Sequence, residues 1–184
     1  MKTRKFLASV TLVLAFGFTS FAQKTVMVGG AAMYPNKNII ENAVNSKDHT
    51  TLVAAVKAAD LVETLKGKGP FTVFAPTNAA FDKLPKGTVE TLLKPENKKM
   101  LQNILTYHVV SGKWSSADIA KAIKDGKGKA AIKAVNGGTL TAWMQGKDLY
   151  ITDENGNKSK VTIADVNQSN GVIHVVNAVL LPKK

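Results

Sequence analysis

The spacing of apolar residues changes character along this chain. In most of the stretch from Asn38 to Leu105 they recur three and four positions apart, whereas from Lys129 onward they alternate with polar residues. The first spacing lines one face of a helix and the second one face of a strand. Ile39, Ile40, Ala43 and Val44 predict a helix from Asn38, and Leu52, Val53 and Val56 predict another starting at Thr50. Leu61, Val62 and Leu65 point inward from a short turn over Asp60 to Lys66, which Gly67 and Gly69 end. Gly87 and Thr88 open a further helix over VETLL, and Pro95, favourable in a first turn, opens a longer one through Met100, Leu101, Ile104 and Leu105. Tyr107 to Val110 is a strand candidate, and Ser115 or Ser116 caps a helix carrying Ile119, Ala120 and Ile123.

The period-two segments are Ala131 to Val135, Thr139 to Met144, Leu149 to Thr152 and Val161 to Val166. Turn residues separate them at Gly137-Gly138, Gln145-Gly146, Asn155-Gly156 and Asn170-Gly171, the pattern of a β-meander. One earlier stretch, FTVFAPTNAAFDKLP from Phe71 to Pro85, switches period within itself. Phe71 to Phe74 has the composition of a buried strand, Pro76 ends it, and Thr77 and Asn78 offer oxygens to the amides of a short helix with Ala79, Ala80, Phe81 and Leu84 on one face. Its expected partner is GVIHVVNAVLL, Gly171 to Leu181, whose run of Val, Ile and Leu suits a strand covered on both sides. Helices first and hairpins second predict an α+β domain rather than a βαβ array.

Composition adds an address and a charge. Lys2, Arg4 and Lys5, an apolar run from Phe6 to Phe18, and Ser20-Phe21-Ala22 form an export signal expected to be cut after residue 22, leaving 162 of the 184 residues as one domain. The apolar run is shorter than the roughly 20 residues of a spanning helix, and no later segment qualifies. The expected location is therefore secreted or periplasmic. With no cysteine, stability must come from packing. Loss of the three leading cations lowers the formal charge from +12 to +9. Lys121, Lys124, Lys127, Lys129 and Lys133 fall in one thirteen-residue stretch opposed by Asp125 alone. Such a patch attracts polyanions, which outside a cell are acidic polysaccharides, lipid head groups or released nucleic acid, but with no aromatic or arginine interleaved for specific readout the favoured reading is a solvated, solubilising surface. Thr25 to Pro35, with paired glycines, reads as a lead-in segment.

Several near-motifs fail on physical grounds. Gly126 to Ala131 fits a permissive dinucleotide pattern, but a helix precedes it and a strand follows, the reverse of what phosphate binding needs. Asp153 to Asn157 resembles the start of a calcium loop, yet Lys158 and Ala164 stand where glycine and glutamate are required, so a hairpin turn is expected. Ser169 lacks the nucleophile elbow, and three histidines without paired spacing give a metal centre or a triad little to work with. His49, among polar residues, is expected to be exposed; His108 and His174, in apolar settings, are expected to be buried with fixed partners.

FTVFAPTNAAFDKLP, LTYHVVSGKW from Leu105 to Trp114, and NGVIHVVNAVLLP from Asn170 to Pro182 resemble, in order and at the right separations, the three signature regions of the fasciclin domain. The resemblance runs from about Asn36 to Pro182. It divides the chain into a signal (1–22), a lead-in (23–35) and the domain (36–182), and implies a fasciclin-like β-wedge with several helices packed along one side. It also implies a secreted, non-enzymatic protein without a cofactor, acting in cell adhesion or in association with extracellular matrix or polysaccharide through surface contacts. The alternative is an extracytoplasmic binder of a small molecule or lipid, held between wedge and helices. The family's tyrosine-histidine pair falls on Tyr107 and His108, which with Lys121, Lys124, Lys127 and Lys129 are the candidate partner-binding residues. The implied partners are a cell-surface or matrix protein or an acidic polysaccharide. Asn177 stands where the family often has aspartate, and the single domain, with no Arg-Gly-Asp tripeptide, implies a monomer that gains nothing from avidity.

Overall fold

A computed structural model describes residues 25–183 of the chain, and the expected export signal lies outside the described residues. The aromatic strand β3 (Phe71–Pro76) runs parallel to β9 (Gly171–Val176), in register from Phe71 opposite Gly171 to Pro76 opposite Val176. On its other side β3 pairs antiparallel with β4 (Val109–Ser111). Burial on both faces follows from strict alternation. Val73 and Ala75 of β3, with Ile173 and Val175 of β9, enter one core, while Phe74 and Val176 enter a second on the opposite face.

The sheet has seven strands in the order β4-β3-β9-β8-β7-β6-β5, the last four being β8 (Lys158–Gln168), β7 (Asp148–Thr152), β6 (Thr139–Gln145) and β5 (Lys129–Lys133). All four pair antiparallel, as the alternating pattern predicts. β8 serves two neighbours: its first residues pair with β7 and its remainder with β9, and two register shifts between Val161 and Val166 bend it from one to the other. Asp165, in this bend, has a left-handed φ of 57°, and its carboxylate accepts the Ser116 amide at 2.7 Å. The far ends of the sheet meet where Val110 bridges Ala134 and the Val135 amide donates to the Val109 carbonyl at 2.8 Å, so the wedge is nearly closed.

The first core is covered by α1 (Ile39–Ala43), α2 (Thr50–Ala58), α3 (Val62–Lys66), α4 (Asn78–Phe81), α5 (Thr88–Leu92) and α6 (Lys98–Tyr107). The second is covered by α7 (Ser116–Asp125), through Ile119 and Ile123. Asn38 and Glu41 form a capping box on α1, and Ser115, not Ser116, forms one with Asp118 on α7. Thr77 caps α4 itself, whereas the Asn78 side chain accepts the Thr51 amide at 3.0 Å and so caps α2, a role visible only in three dimensions.

Boundaries differ from expectation where a side chain takes over from the backbone ladder. Pro95 starts a single 3-10 turn, Pro95–Asn97, and α6 follows it. Tyr107 ends α6, with His108 as its C-cap, instead of beginning a strand. β9 stops at Val176 because the Asn177 side-chain oxygen accepts the Lys160 amide at 2.9 Å, although Val179 and Leu180 remain buried. Residues 25–35 form a hairpin of β1 (Val26–Val28) and β2 (Ala31–Met33). Its turn is Gly29-Gly30, both with positive φ, and it lays Val28 and Met33 in the first core.

Candidate functional site

Tyr107 and His108 are consecutive at the end of α6, and the turn there sends them in different directions. The Tyr107 ring is fully buried in the second core, and its hydroxyl donates to the Thr139 carbonyl at 2.8 Å while accepting the Glu154 amide at 3.1 Å. It ties α6 to the tips of two hairpins. Burial, the largest influence, pushes its pKa up to about 12. A Cβ at Gly138 would lie 2.7 Å from the ring, so glycine is required there for the hairpin to close over it.

His108 is 3% exposed, with Nδ1 2.9 Å from the Ile104 carbonyl and Nε2 3.0 Å from the Leu180 amide. The carbonyl needs a proton on Nδ1 and the amide needs a lone pair on Nε2, which fixes a neutral tautomer. Burial drives its pKa down to about 4, against the smaller opposing effect of the Ile104 backbone. His174 is held the same way: Nε2 donates to the Trp114 carbonyl at 2.8 Å, Nδ1 accepts the Asp165 amide at 3.3 Å, and the ring stacks on Phe74. As packed, Tyr107 and His108 present no surface to a partner.

The expectation for His49 is corrected. It is 1% exposed, lying in the 3-10 turn Lys47–His49 with Nδ1 2.9 Å from the buried Ser46 hydroxyl. Burial lowers its pKa, and its Nε2 has no hydrogen-bond partner among the described residues. Asp153, first residue of the calcium-like loop, is also buried; its carboxylate accepts the amides of Asn155, Asn157 and Leu181 at 2.8–2.9 Å. It organises a hairpin turn and pins the C-terminal segment. Among the described residues no group of three acidic or histidine side chains can hold a metal ion.

The lysines are exposed, but they do not share one surface. α7 packs through Ile119 and Ile123 on the inner face of β5 and β6, so Lys121 and Lys124 stand on the helix surface directed away from the sheet. Lys121 is 3.0 Å from Asp125. Lys127 occupies the turn with a left-handed φ of 55°. Lys129 and Lys133 project from the opposite, outer face of β5, since Ala130 and Ile132 take the inner one. A run contiguous in sequence is divided by the sheet it enters.

What Lys129 meets on that outer face is missing from the sequence expectation. It lies opposite Trp143, which lies opposite Tyr150, which lies opposite Lys160. The two aromatic rings stack with centroids 4.9 Å apart, and the Lys158 ammonium sits 5.2 Å from the Trp143 ring centre. A legible signal existed: Trp143 and Tyr150 are equidistant from the Gly146-Lys147 turn, so any regular hairpin there places them opposite each other.

On the other side of the molecule a cavity of about 70 Å³ lies between the helices and the wedge, bounded by Ile40, Leu52, Val56, Leu65, Phe71 and Val109. Its walls are almost wholly apolar, so water finds few partners there. No helix among the described residues is long and apolar enough to cross a membrane.

The frame is a nearly closed seven-stranded wedge with helices α1 to α6 over one core and α7 over the other, and with His108 and His174 committed to internal hydrogen bonds. The chain belongs to the fasciclin domain family, whose model matches residues 47–182. It is 47% identical over 160 residues to Protein sll1483 of Synechocystis sp., covering 87% of this chain and 82% of that one. It is 33% identical over 166 residues to the cell surface glycolipoprotein MPB83 of Mycobacterium bovis, covering 88% and 68%. Its fold matches the FAS1 domain pair of the insect cell adhesion molecule Fasciclin I with a TM-score of 0.71 at 18% identity, over 80% of this chain and 51% of that one.

Proposed function

We propose that this is a secreted, non-enzymatic module that supports adhesion or matrix association by binding acidic polysaccharide through its lysines. The observation that carries the reading is the split between interior and exterior. Each ring nitrogen of His108 and His174 is engaged, whereas Lys124, Lys127, Lys129 and Lys133 are exposed. Exposed ammonium groups attract polyanions at long range, and salt screens the attraction within about 10 Å at 0.1 M. The descriptions of MPB83 as a cell surface protein and of Fasciclin I as a cell adhesion molecule are consistent with this role. Retention on an immobilised acidic glycan, weakened when Lys121, Lys124, Lys127 and Lys129 are all changed to glutamine, is the expected result. Retention unchanged by those four substitutions would overturn the charge-based mechanism.

The apolar cavity favours a second reading, a small hydrophobic ligand held beneath α1, α2 and α3. At about 70 Å³ it fits a few heavy atoms and no lipid chain unless the helices separate. Native mass spectrometry of the purified protein should show added mass if this reading holds; an unliganded protein that also binds no small hydrocarbon removes it.

A further inference from the structure

We propose that the outer face of the β5–β8 ribbon is a docking surface for a uronate-bearing polysaccharide, laid across the row Lys129, Trp143, Tyr150 and Lys160. This rests on the reading above and names the place where it happens. Register carries it first. Directly opposed residues on antiparallel strands share a face, so these four side chains form one cross-strand line. With strands about 4.8 Å apart, the line spans about 14 Å, the scale of a few sugar rings. Beside it runs a second line of Ala131, Thr141, Thr152 and Lys158.

The chemistry of the two lines is complementary to an acidic sugar. Sugar rings carry apolar C–H faces, hydroxyls at their rims and, in uronates, a carboxylate. The stacked Trp143 and Tyr150 offer apolar area, Thr141 and Thr152 offer hydroxyls, and Lys129, Lys133 and Lys158 offer ammonium groups. Acidic competition on this face comes from Asp148, which is already paired with Lys160 at 2.7 Å. α7 covers the inner side of these strands, and the outer side chains are exposed or half-exposed.

The geometry disfavours single-stranded nucleic acid, which needs open aromatic faces for bases to stack on. Trp143 already has Tyr150 stacked against it and the Lys158 ammonium over its ring, and its indole N–H donates to the Thr152 hydroxyl at 2.9 Å. A base would have to break that arrangement, whereas a sugar chain can lie along its edge.

The test is a fluorescence titration of the full secreted protein with polygalacturonate, using neutral dextran and oligothymidylate as comparison probes. Trp143 and Trp114 are the two tryptophans, so Trp143→Phe separates their signals. Polygalacturonate should alter the emission of the wild type, and the change should vanish in Trp143→Phe. Lys129→Gln with Lys133→Gln and Lys158→Gln should weaken binding by about tenfold, given the modest worth of exposed charges. Lys121→Gln with Lys124→Gln and Lys127→Gln should leave it within about twofold. Thermal unfolding of each variant checks folding. If the helix-side triple abolishes binding while the sheet-side triple and Trp143 are silent, this location is wrong although polysaccharide binding stands. No response to any polyanion overturns both readings, and equal or tighter binding of oligothymidylate overturns the choice of ligand.

Discussion

Around β3 and β9 the sheet is covered on both faces, whereas the ribbon of β5 to β8 is covered by α7 on one face and open on the other. In the covered region polar groups serve packing. His108 and His174 bridge segments far apart in sequence, and the Thr72 hydroxyl, fully buried, donates to the Gly112 carbonyl at 2.7 Å. Such groups cannot change partners without leaving a buried donor or acceptor unmet. In the open region the cations reach solvent and can exchange water for a ligand at little cost. On the proposed reading, the contrast puts rigidity in one half and recognition in the other.

The sharpest way to break this contrast is to damage the covered half and ask whether recognition survives. Phe74→Ala removes a fully buried ring that stacks on His174, and it should cost about 3–5 kcal/mol in urea unfolding. A cost below about 1 kcal/mol would show that β3 does not anchor the second core.

Acid titration should give the next largest effect. The folded pKa of His108 is depressed to about 4 from an ordinary 6.5, so the unfolded chain takes up the proton first. The stability this contributes is fully present above pH 6.5 and is lost as pH falls from there toward 4. The full shift corresponds to roughly 3 kcal/mol. His49 and His174, also lowered by burial, act in the same direction. Unfolding free energy measured between pH 7 and 4 should fall, and His108→Gln should be less stable at neutral pH but flatter across that range. A wild-type profile flat over those values would contradict the buried neutral histidines.

Tyr107→Phe keeps the ring and deletes the hydroxyl shared by Thr139 and Glu154, and it should cost about 1–2 kcal/mol. Hydrogen exchange at the Glu154 amide should accelerate; unchanged protection there would argue against the bond. The smallest effect belongs to the open face. Lys129→Gln with Lys158→Gln should change stability by less than about 0.5 kcal/mol. A larger loss would mean that the lysine–aromatic row is mainly a structural brace.

Much of the scaffold was legible because its residues agree at every level. Phe71 to Phe74 and Gly171 to Leu181 read as buried strands, and the strands that form there, Phe71–Pro76 and Gly171–Val176, are neighbours. Helices start where the apolar spacing after Asn38 and the Ser115-Ser116 pair predict them. The site was less legible. His49 looked exposed because its sequence neighbours are polar, but a 3-10 turn rather than a helical face sets its direction. The lysine run looked like one patch because charge was counted along the chain, and a strand alternates what a count does not. Tyr107 looked like strand because its residue type favours strands, whereas its position is decided by the closing turn of α6.

By itself the sequence determined the α+β class, the central aromatic strand and its valine-rich partner, and the strongly basic surface, because each follows from local periodicity or composition. The tertiary structure alone decided that Tyr107 and His108 are interior ties and that Lys121 and Lys129 face apart. It alone set Lys158 over the ring of Trp143. Those outcomes depend on strand register and on the packing of elements distant in sequence, and no local pattern carries that information.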